Sequence, residues 1–276
     1  MSVINTNVSA MYSQNAMKTN ARAMSTAMEQ LSTGTRVNSA KDDAAGLAIG
    51  QNMTSQIKGL NQAVRNLNDG INMMQTAEGA MIEQSNMLQR MRELAVQSMN
   101  GTYSNIQRGY LDKEFQALST QIGKIATDTQ WNDQTLLDAS VNGSGSFTYQ
   151  AGMSDGQTVV VSIAAMTNTG LSVTALVTIS TVAAATTSLG LISTALETIN
   201  GQRAQIGAAI NRMEYAADNL TNISSNATQS RSTIMDTDYA MATTQLAKTQ
   251  IIQQAATAML AQANQQPQSV MALLKG

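Results

Sequence analysis

The stretch Ile57–Ala95, IKGLNQAVRNLNDGINMMQTAEGAMIEQSNMLQRMRELA, decides the fold. Within it Ile57, Leu60, Val64, Leu67, Ile71, Met74, Ala77, Met81, Gln84, Leu88, Met91 and Ala95 recur at alternating steps of three and four. That is the period of a heptad seam, sustained for about five heptads. At about 1.5 Å per residue a helix over this stretch is roughly 58 Å long, far beyond the ordinary globular helix of about 11 residues. The sequence therefore predicts a rod-forming helix over 44–100. After a break marked by Asn100, Gly101 and Ser104, a shorter stripe of Leu111, Phe115, Leu118, Ile122 and Ile125 predicts a second helix over 105–128.

A matching seam lies far along the chain. Leu189, Ile192, Leu196, Ile199, Ile206, Ile210, Met213, Ala217, Leu220, Ala227 and Ile234 repeat the three-four alternation over 189–235, with Arg203, Ser224 and Arg231 at three seam positions. One apolar stripe cannot bury itself, so the stripes pack together, either as one bundle joining both halves of the chain or as separate coiled-coil dimers. The bundle is the more economical arrangement. The fold class expected is mainly α: a long antiparallel helical bundle or coiled-coil rod formed by the N- and C-terminal halves, with a small β-hairpin region in the middle. Residues 139–188 carry that region. Only Asp155 is charged there, and Phe147–Gln150 and Thr158–Ile163 are short strand candidates around Asp155-Gly156. Leu171–Thr187 is β-branched and of low complexity, and its composition fits a strand, a loop or a disordered tip.

The ends read differently again. Residues 2–33 predict an amphipathic helix closed by Gly34, and Ser39, three residues before Asp42, reads as the cap of the next helix with Asp42 and Asp43 in its first turn. Near the C-terminus Ile251, Ile252, Ala255, Met259, Leu260 and Ala263 form an apolar face before Pro267, followed by Val270, Leu273 and Leu274. These helices are expected to be disordered in the monomer and ordered on assembly, because alone they expose apolar surface. Met1–Met17 and Thr249–Leu274 lack charged residues, but Asn, Gln, Ser and Thr interrupt both, so membrane insertion is not expected. The first basic residue is Lys18, and no charged segment precedes an apolar core as in a cleavable secretory signal.

Composition narrows the chemistry. The 276 residues include no Cys and no His, which removes zinc fingers, thiol and Ser-His-Asp nucleophiles, haem and iron-sulfur ligation, and disulfides. A net charge of -2 argues against a nucleic-acid partner, which requires a basic stripe to replace phosphate counterions. No pair of acids reads as a glycosidase-like dyad, and Asp42-Asp43 and Asp236/Asp238 read as helix-terminal charges rather than a cation site. Neither a cofactor nor a metal is expected. The 19 methionines fill seams or, alternatively, let neighbouring packings slide.

Five segments carry a resemblance: SVINTN at 2–7, LSTGTRVNSAKDDAAG at 31–46, QRMRELAVQ at 89–97, SRSTIMDTDYA at 230–240 and AQANQQPQSVMALL at 261–274. Together they resemble bacterial flagellin, over roughly 1–138 and 189–276. Trp131 stands where that family usually has Phe, and Asp133 where it usually has Gly. The resemblance implies an inner core domain from 1–43 and 236–276, a rod domain over 44–235, and a minimal form with no outer variable domain. It implies an extracellular structural subunit of the flagellar filament, exported through the type III route, with itself, an export chaperone, and cap and hook-associated proteins as partners. A hook-filament junction protein of the same superfamily is the alternative. Assembly residues carried over are Val3, Ile4, Val8, Leu31, Gly34, Arg36, Asp42, Asp43, Ile252, Met259, Leu260, Val270, Leu273 and Leu274. Gln89, Arg90, Leu94 and Gln97, with Glu114, resemble the surface recognised by Toll-like receptor five, and helical spacing is expected to present Arg90, Leu94 and Gln97 on one face. Ser and Thr of 140–190 are candidate O-glycan acceptors, as the resemblance to some members of that family implies.

Overall fold

The computed structural model describes residues 6–140, 145–175 and 178–274, with backbone only for 175 and 266–274. In chain order the elements are α1 (Val8–Thr33), α2 (Ala44–Met99), α3 (Asn105–Asp128), β1 (Gln130–Trp131), β2 (Gln134–Thr135), β3 (Ser146–Gln150), β4 (Thr158–Ser162), α4 (Val182–Met235) and α5 (Tyr239–Leu274). They make two compact units. One comprises residues up to Ile57 and from Ser225, and the other is Lys58–Ser224.

The Lys58–Ser224 unit is the predicted bundle. The seam of α2 is buried at Leu60, Leu67, Met74, Met81, Leu88, Met91 and Ala95, against Phe115, Ile122 and Ala126 of α3 and Ile192, Ile199, Ile206, Met213 and Leu220 of α4. Cross-links between α2 and α4 run in opposite chain directions: Asn61 with Ser224 (2.9 Å) and Glu78 with Arg203 (3.3 Å). The helices are therefore antiparallel, and the polar residues in the α4 seam are those that find partners on α2. Ser104 starts α3 with a capping box, its hydroxyl accepting from the Gln107 N–H while Gln107 returns to the Ser104 N–H.

β3 and β4 form the predicted antiparallel hairpin, pairing Ser146 with Ser162 through Gln150 with Thr158. Its alternation sends Phe147 and Val161 inward and Thr148 and Val160 outward. The hairpin lies on α2 where Gly70 leaves room: a Cβ there would sit 2.8 Å from the Tyr149 ring. A second, two-residue ladder of β1 and β2 was not anticipated. Asn132 and Asp133 close it with φ of 49° and 62°, a left-handed pair that Asn and Asp tolerate better than other side chains.

Residues after β4 return along α3 with Ile163, Met166, Leu171, Val173 and Ile179 buried, and Val173–Ala175 makes one 3-10 turn. The Asn168 amide donates to the Ser119 carbonyl, and Asp112 accepts from the Ile179 N–H at 2.7 Å. The β-branched stretch is thus packed loop as far as it is described, then helix: α4 starts at Val182, ahead of the expected 189. By length and composition an 18-residue window of α4 is apolar enough to cross a membrane, with mean hydropathy 1.3. Its buried stripe, beginning with Ala185, Ile192 and Ala195, faces the bundle core.

In the other unit α1 and α5 pair antiparallel. Asn7 donates to the Ala263 carbonyl at 2.8 Å, Asn20 to the Thr249 carbonyl at 2.8 Å, and the Thr237 N–H to the Gly34 carbonyl at 3.0 Å. Helix α1 begins at Val8, capped by Asn7, whose side chain accepts from the Ala10 N–H, and residues 2–5 of the expected helix lie outside the described residues. The start of α2 also departs from expectation. Asp43, not Ser39, accepts from the Gly46 N–H at 2.8 Å, because Ser39 spends both its N–H and its hydroxyl on Asp42 in the preceding turn.

Candidate assembly surface

The α1–α5 pair is built from small and amide side chains. Ala27, Ala242 and Ala263 are buried between the helices with Asn20 and Thr249, so the backbones approach closely and the amides, rather than large apolar groups, hold the register. Asn20 donates both to the Thr249 carbonyl and, at 3.2 Å, to Gln253 Oε1. Met17, Met24 and Leu31 of α1 and Leu246 and Leu260 of α5 continue the same three-four spacing and are half-buried, while other large apolar residues point outward. Val8, Met11, Tyr12 and Met28 on α1, and Tyr239, Met241, Ile251, Ile252 and Met259 on α5, are exposed. Exposed apolar surface of this kind is commonly where a protein meets another molecule.

Of the residues carried over for assembly, Val8, Ile252 and Met259 lie exposed on this surface, and Leu31 and Leu260 are half-buried in the seam between the helices. Val3 and Ile4 lie outside the described residues. Val270, Leu273 and Leu274 lie on the helical backbone of α5, and their side chains are likewise outside the description.

Gly34, Arg36, Asp42 and Asp43 form the linker between α1 and α2, and it is stitched to the α4–α5 junction. Gly34 ends α1 in the left-handed conformation at φ 72°, its N–H bonded to the Gln30 carbonyl at 2.9 Å. Thr35 bridges to Asp236, and the Arg36 N–H donates to the Met235 carbonyl at 2.6 Å. The Arg36 guanidinium donates to the Ile234 carbonyl at 2.7 Å, at the end of α4 where orphan carbonyls favour a cation, and stands 4.0 Å from Asp43. Val37 is buried beneath. The Ser39 hydroxyl holds the Asp42 carboxyl below the usual carboxylate range. Asp238 caps α5, accepting from the Ala240 and Met241 N–H groups. Spacing alone revealed Gly34 and the acids, but not that Arg36 reaches across to α4.

A second surface lies on the Lys58–Ser224 unit. Arg90 is pinned between Glu93 at 2.9 Å and Glu114 at 3.0 Å, which raise its pKa in that order, and Gln97 donates to the Tyr103 hydroxyl at 2.9 Å. Gln89, Arg90, Gln97 and Glu114 are exposed, but Leu94 is 1% exposed, which corrects the expected face. The three residues do share one side of α2, and that side is where α3 packs. Long polar side chains reach past α3 to water, whereas the short branched one is covered. Beside this cluster an open groove is lined by Gln89, Arg92, Glu93 and Val96 of α2 and Leu196 and Asn200 of α4.

Two family models match the chain: the bacterial flagellin N-terminal helical region over residues 4–142, and the bacterial flagellin C-terminal helical region over 189–274. The chain belongs to the bacterial flagellin family. A flagellin of Halalkalibacterium halodurans is 41% identical over 280 residues, covering 99% of this chain and 100% of that one. Flagellin B of Vibrio cholerae is 34% identical over 374 positions, covering 98% and 99% respectively. That alignment is longer than the 276-residue chain, so the Vibrio flagellin contains positions this one lacks, which agrees with a form without an outer variable domain. Among solved structures, Bacillus cereus flagellin is similar with a TM-score of 0.51 and 31% identity, covering 56% of this chain and 88% of that one. A putative flagellar hook-associated protein from Vibrio parahaemolyticus gives a TM-score of 0.60 at 14% identity, over 70% and 99%, a likeness of fold alone. The flagellin family is structural, and both family models fall on the helical halves of the chain, on either side of the hairpin and its return loop.

Proposed function

We propose that the chain polymerises into the flagellar filament through the exposed apolar faces of α1 and α5. The filament-subunit role follows from family membership, and the filament lies outside the cell. The observation that supports this contact surface is the set of large apolar residues that the helix pair leaves exposed, while its fully buried positions are small, amide or hydroxyl residues. A monomer gains nothing from exposing Met11, Tyr12, Ile251 and Met259, whereas a polymer removes them from water at about 25 cal/mol per Å². In this reading 1–43 and 236–276 are the inner core domain, 44–235 the rod, and the stitched linker with Gly34, Arg36 and Asp43 fixes how each core helix enters its neighbours' packing.

The reading extends to partners. The chain leaves the cell unfolded through the type III route without a cleavable signal, its C-terminal helix held by an export chaperone, and it meets cap and hook-associated proteins at the filament ends. N-terminal sequencing of protein from sheared filaments tests the signal: a start at Met1 or Ser2 supports it, and a start further along overturns it. As a monomer the chain presents Gln89, Arg90, Gln97 and Glu114 to Toll-like receptor five, with the buried Leu94 supporting them from below. Arg90→Ala and Glu114→Ala monomers are expected to lose reporter-cell activation while retaining wild-type circular dichroism. Full activity from both variants overturns the receptor assignment.

Seeded polymerisation decides the main proposal. Monomers prepared by heating, then cooled with short filament fragments, are examined by negative-stain electron microscopy beside a form lacking 1–43 and 236–276. Long tubes from the full chain alone are the expected result. Short collars from the full chain would favour the hook-filament junction alternative.

A further inference from the structure

The methionines divide by unit. Among the described residues the six buried ones, Met73, Met74, Met81, Met91, Met166 and Met213, all lie in Lys58–Ser224. Of the five strongly exposed among the described residues, Met11, Met28, Met241 and Met259 lie on the paired terminal helices, at 61%, 52%, 68% and 63% exposure, and the fifth, Met153, is in the hairpin turn. Met241 and Met259 are eighteen residues apart, five helical turns, so they share one face of α5 with Ile252. With no Cys in the chain, thioethers are its only oxidisable sulfur.

We propose that Met11, Met28, Met241 and Met259 are oxidation sites that switch off assembly of the free subunit. The inference rests on the filament reading above and adds a regulation of the same surface. The reactant is a hydroperoxide. The methionine sulfur attacks the terminal peroxide oxygen, the O–O bond breaks as the S–O bond forms, the sulfur loses two electrons, and the departing oxygen takes up the proton and leaves as the alcohol, or as water when the reactant is hydrogen peroxide. The product sulfoxide is polar and chiral where the surface had been apolar and adaptable. Burying it against a second copy of the chain removes a strong acceptor from water without a matching donor, which disfavours the contact. The reaction is reversible by methionine sulfoxide reductases, one for each epimer. Access also depends on state. The free subunit exposes these sulfurs, and a filament built on the α1 and α5 faces covers them, so oxidation censors monomers before they add and spares finished polymer.

The test treats monomer and seeded filament with hydrogen peroxide and follows each methionine by peptide mass mapping. In monomer the four sites are expected to oxidise on the order of tenfold faster than Met74, Met81, Met91 and Met213, and in filament to fall toward the rate of those buried sulfurs. Peroxide-treated monomer is expected to elongate seeds at least about fivefold more slowly, with the rate restored by the two reductases. In a form carrying Met11→Leu, Met28→Leu, Met241→Leu and Met259→Leu, with its own elongation rate before treatment as the reference, peroxide is expected to leave that rate unchanged. Uniform oxidation across all sites, unchanged protection in filaments, or an equal loss of elongation in the four-leucine form overturns the proposal. Failure of untreated wild-type monomer to elongate seeds is a different result: it overturns the filament reading itself, and this regulation with it. If the leucine form does not fold, the reductase rescue of wild type still decides the matter, since irreversible loss overturns it.

Discussion

At the scale of single residues, the most informative position is Gln84. It stands in the apolar seam of α2, fully buried, and its amide hydrogens go to two different segments: the Ile122 carbonyl of α3 at 3.1 Å and the Met166 carbonyl of the return loop at 3.0 Å. Its Oε1 has no hydrogen-bond partner among the described residues. An unpaired buried acceptor costs about 1–3 kcal/mol, so Gln84 is not there for stability alone. The two donated bonds fix where α3 and the loop sit along α2, which a uniformly apolar seam leaves free to slip. Replacing the amide by a carboxyl tests this. Gln84→Glu loses both donors at neutral pH and points a charge at two carbonyl oxygens, and is expected to destabilise this unit by about 3–5 kcal/mol at pH 7. Burial raises a carboxyl pKa, so in this variant the folded pKa exceeds the unfolded one. Its stability is then fully present below the unfolded value of about 4.3 and lost as pH rises through the folded pKa. Urea titrations of wild type and variant between pH 4 and 8 measure it, and a constant difference across that range contradicts the role given to Gln84.

At the scale of elements, the hairpin depends on one tyrosine. Tyr149 lies over Gly70 with its hydroxyl 3.4 Å from the Met73 sulfur, and burial pushes its phenol well above the ordinary value near 10. Again the folded pKa is the higher one. The contribution is complete below about pH 10 and lost as pH rises beyond it, because only the unfolded phenol ionises readily there. Thermal unfolding at pH 7 and pH 10.5 is expected to show a larger alkaline loss for wild type than for Tyr149→Phe, which has no phenol to ionise. Equal losses would mean that Tyr149 ionises as freely in the folded chain as in the unfolded one. The hairpin strands themselves were readable from alternation, and so was the break before α3. The β1–β2 ladder was not, because two residues on each side of Asn132-Asp133 make too short a pattern to register.

At the scale of the molecule, the two units differ in what holds them. Most of the large buried side chains, from Leu60 to Leu220, belong to the Lys58–Ser224 unit, while the described part of the other unit fully buries few large ones, Val37 and Ile57 among them, and relies more on small residues, amide bonds and a stitched linker. Buried apolar area is the main source of stability, so the two are expected to melt separately. Calorimetry of the monomer should show two transitions, and a form restricted to 44–235 should keep only the upper one. Native-state hydrogen exchange should run faster in α1 and α5 than in the seams of α2 and α4. A single cooperative transition for the full chain would contradict this division.

The sequence by itself determined the helical seams, the hairpin, the family and the apolar character of both ends. Each of these is carried by periodicity or by contiguous motif, and side chains one turn apart on one helix obey rules that need no partner. Tertiary structure alone decided which polar residues are bonded and which apolar ones are covered. Leu94 shares the spacing of Arg90 and Gln97 yet is buried, because α3 lies along that edge of α2. Arg36 reads as a surface charge and instead closes the end of α4, a helix some 200 residues away in sequence. The loop after β4 has no readable period, since its buried residues face α3 at irregular intervals and its backbone takes its bonds from Gln84, Asp112 and Gln202 on three different helices. Local pattern records what a segment does to itself, and burial records what the rest of the chain does to it.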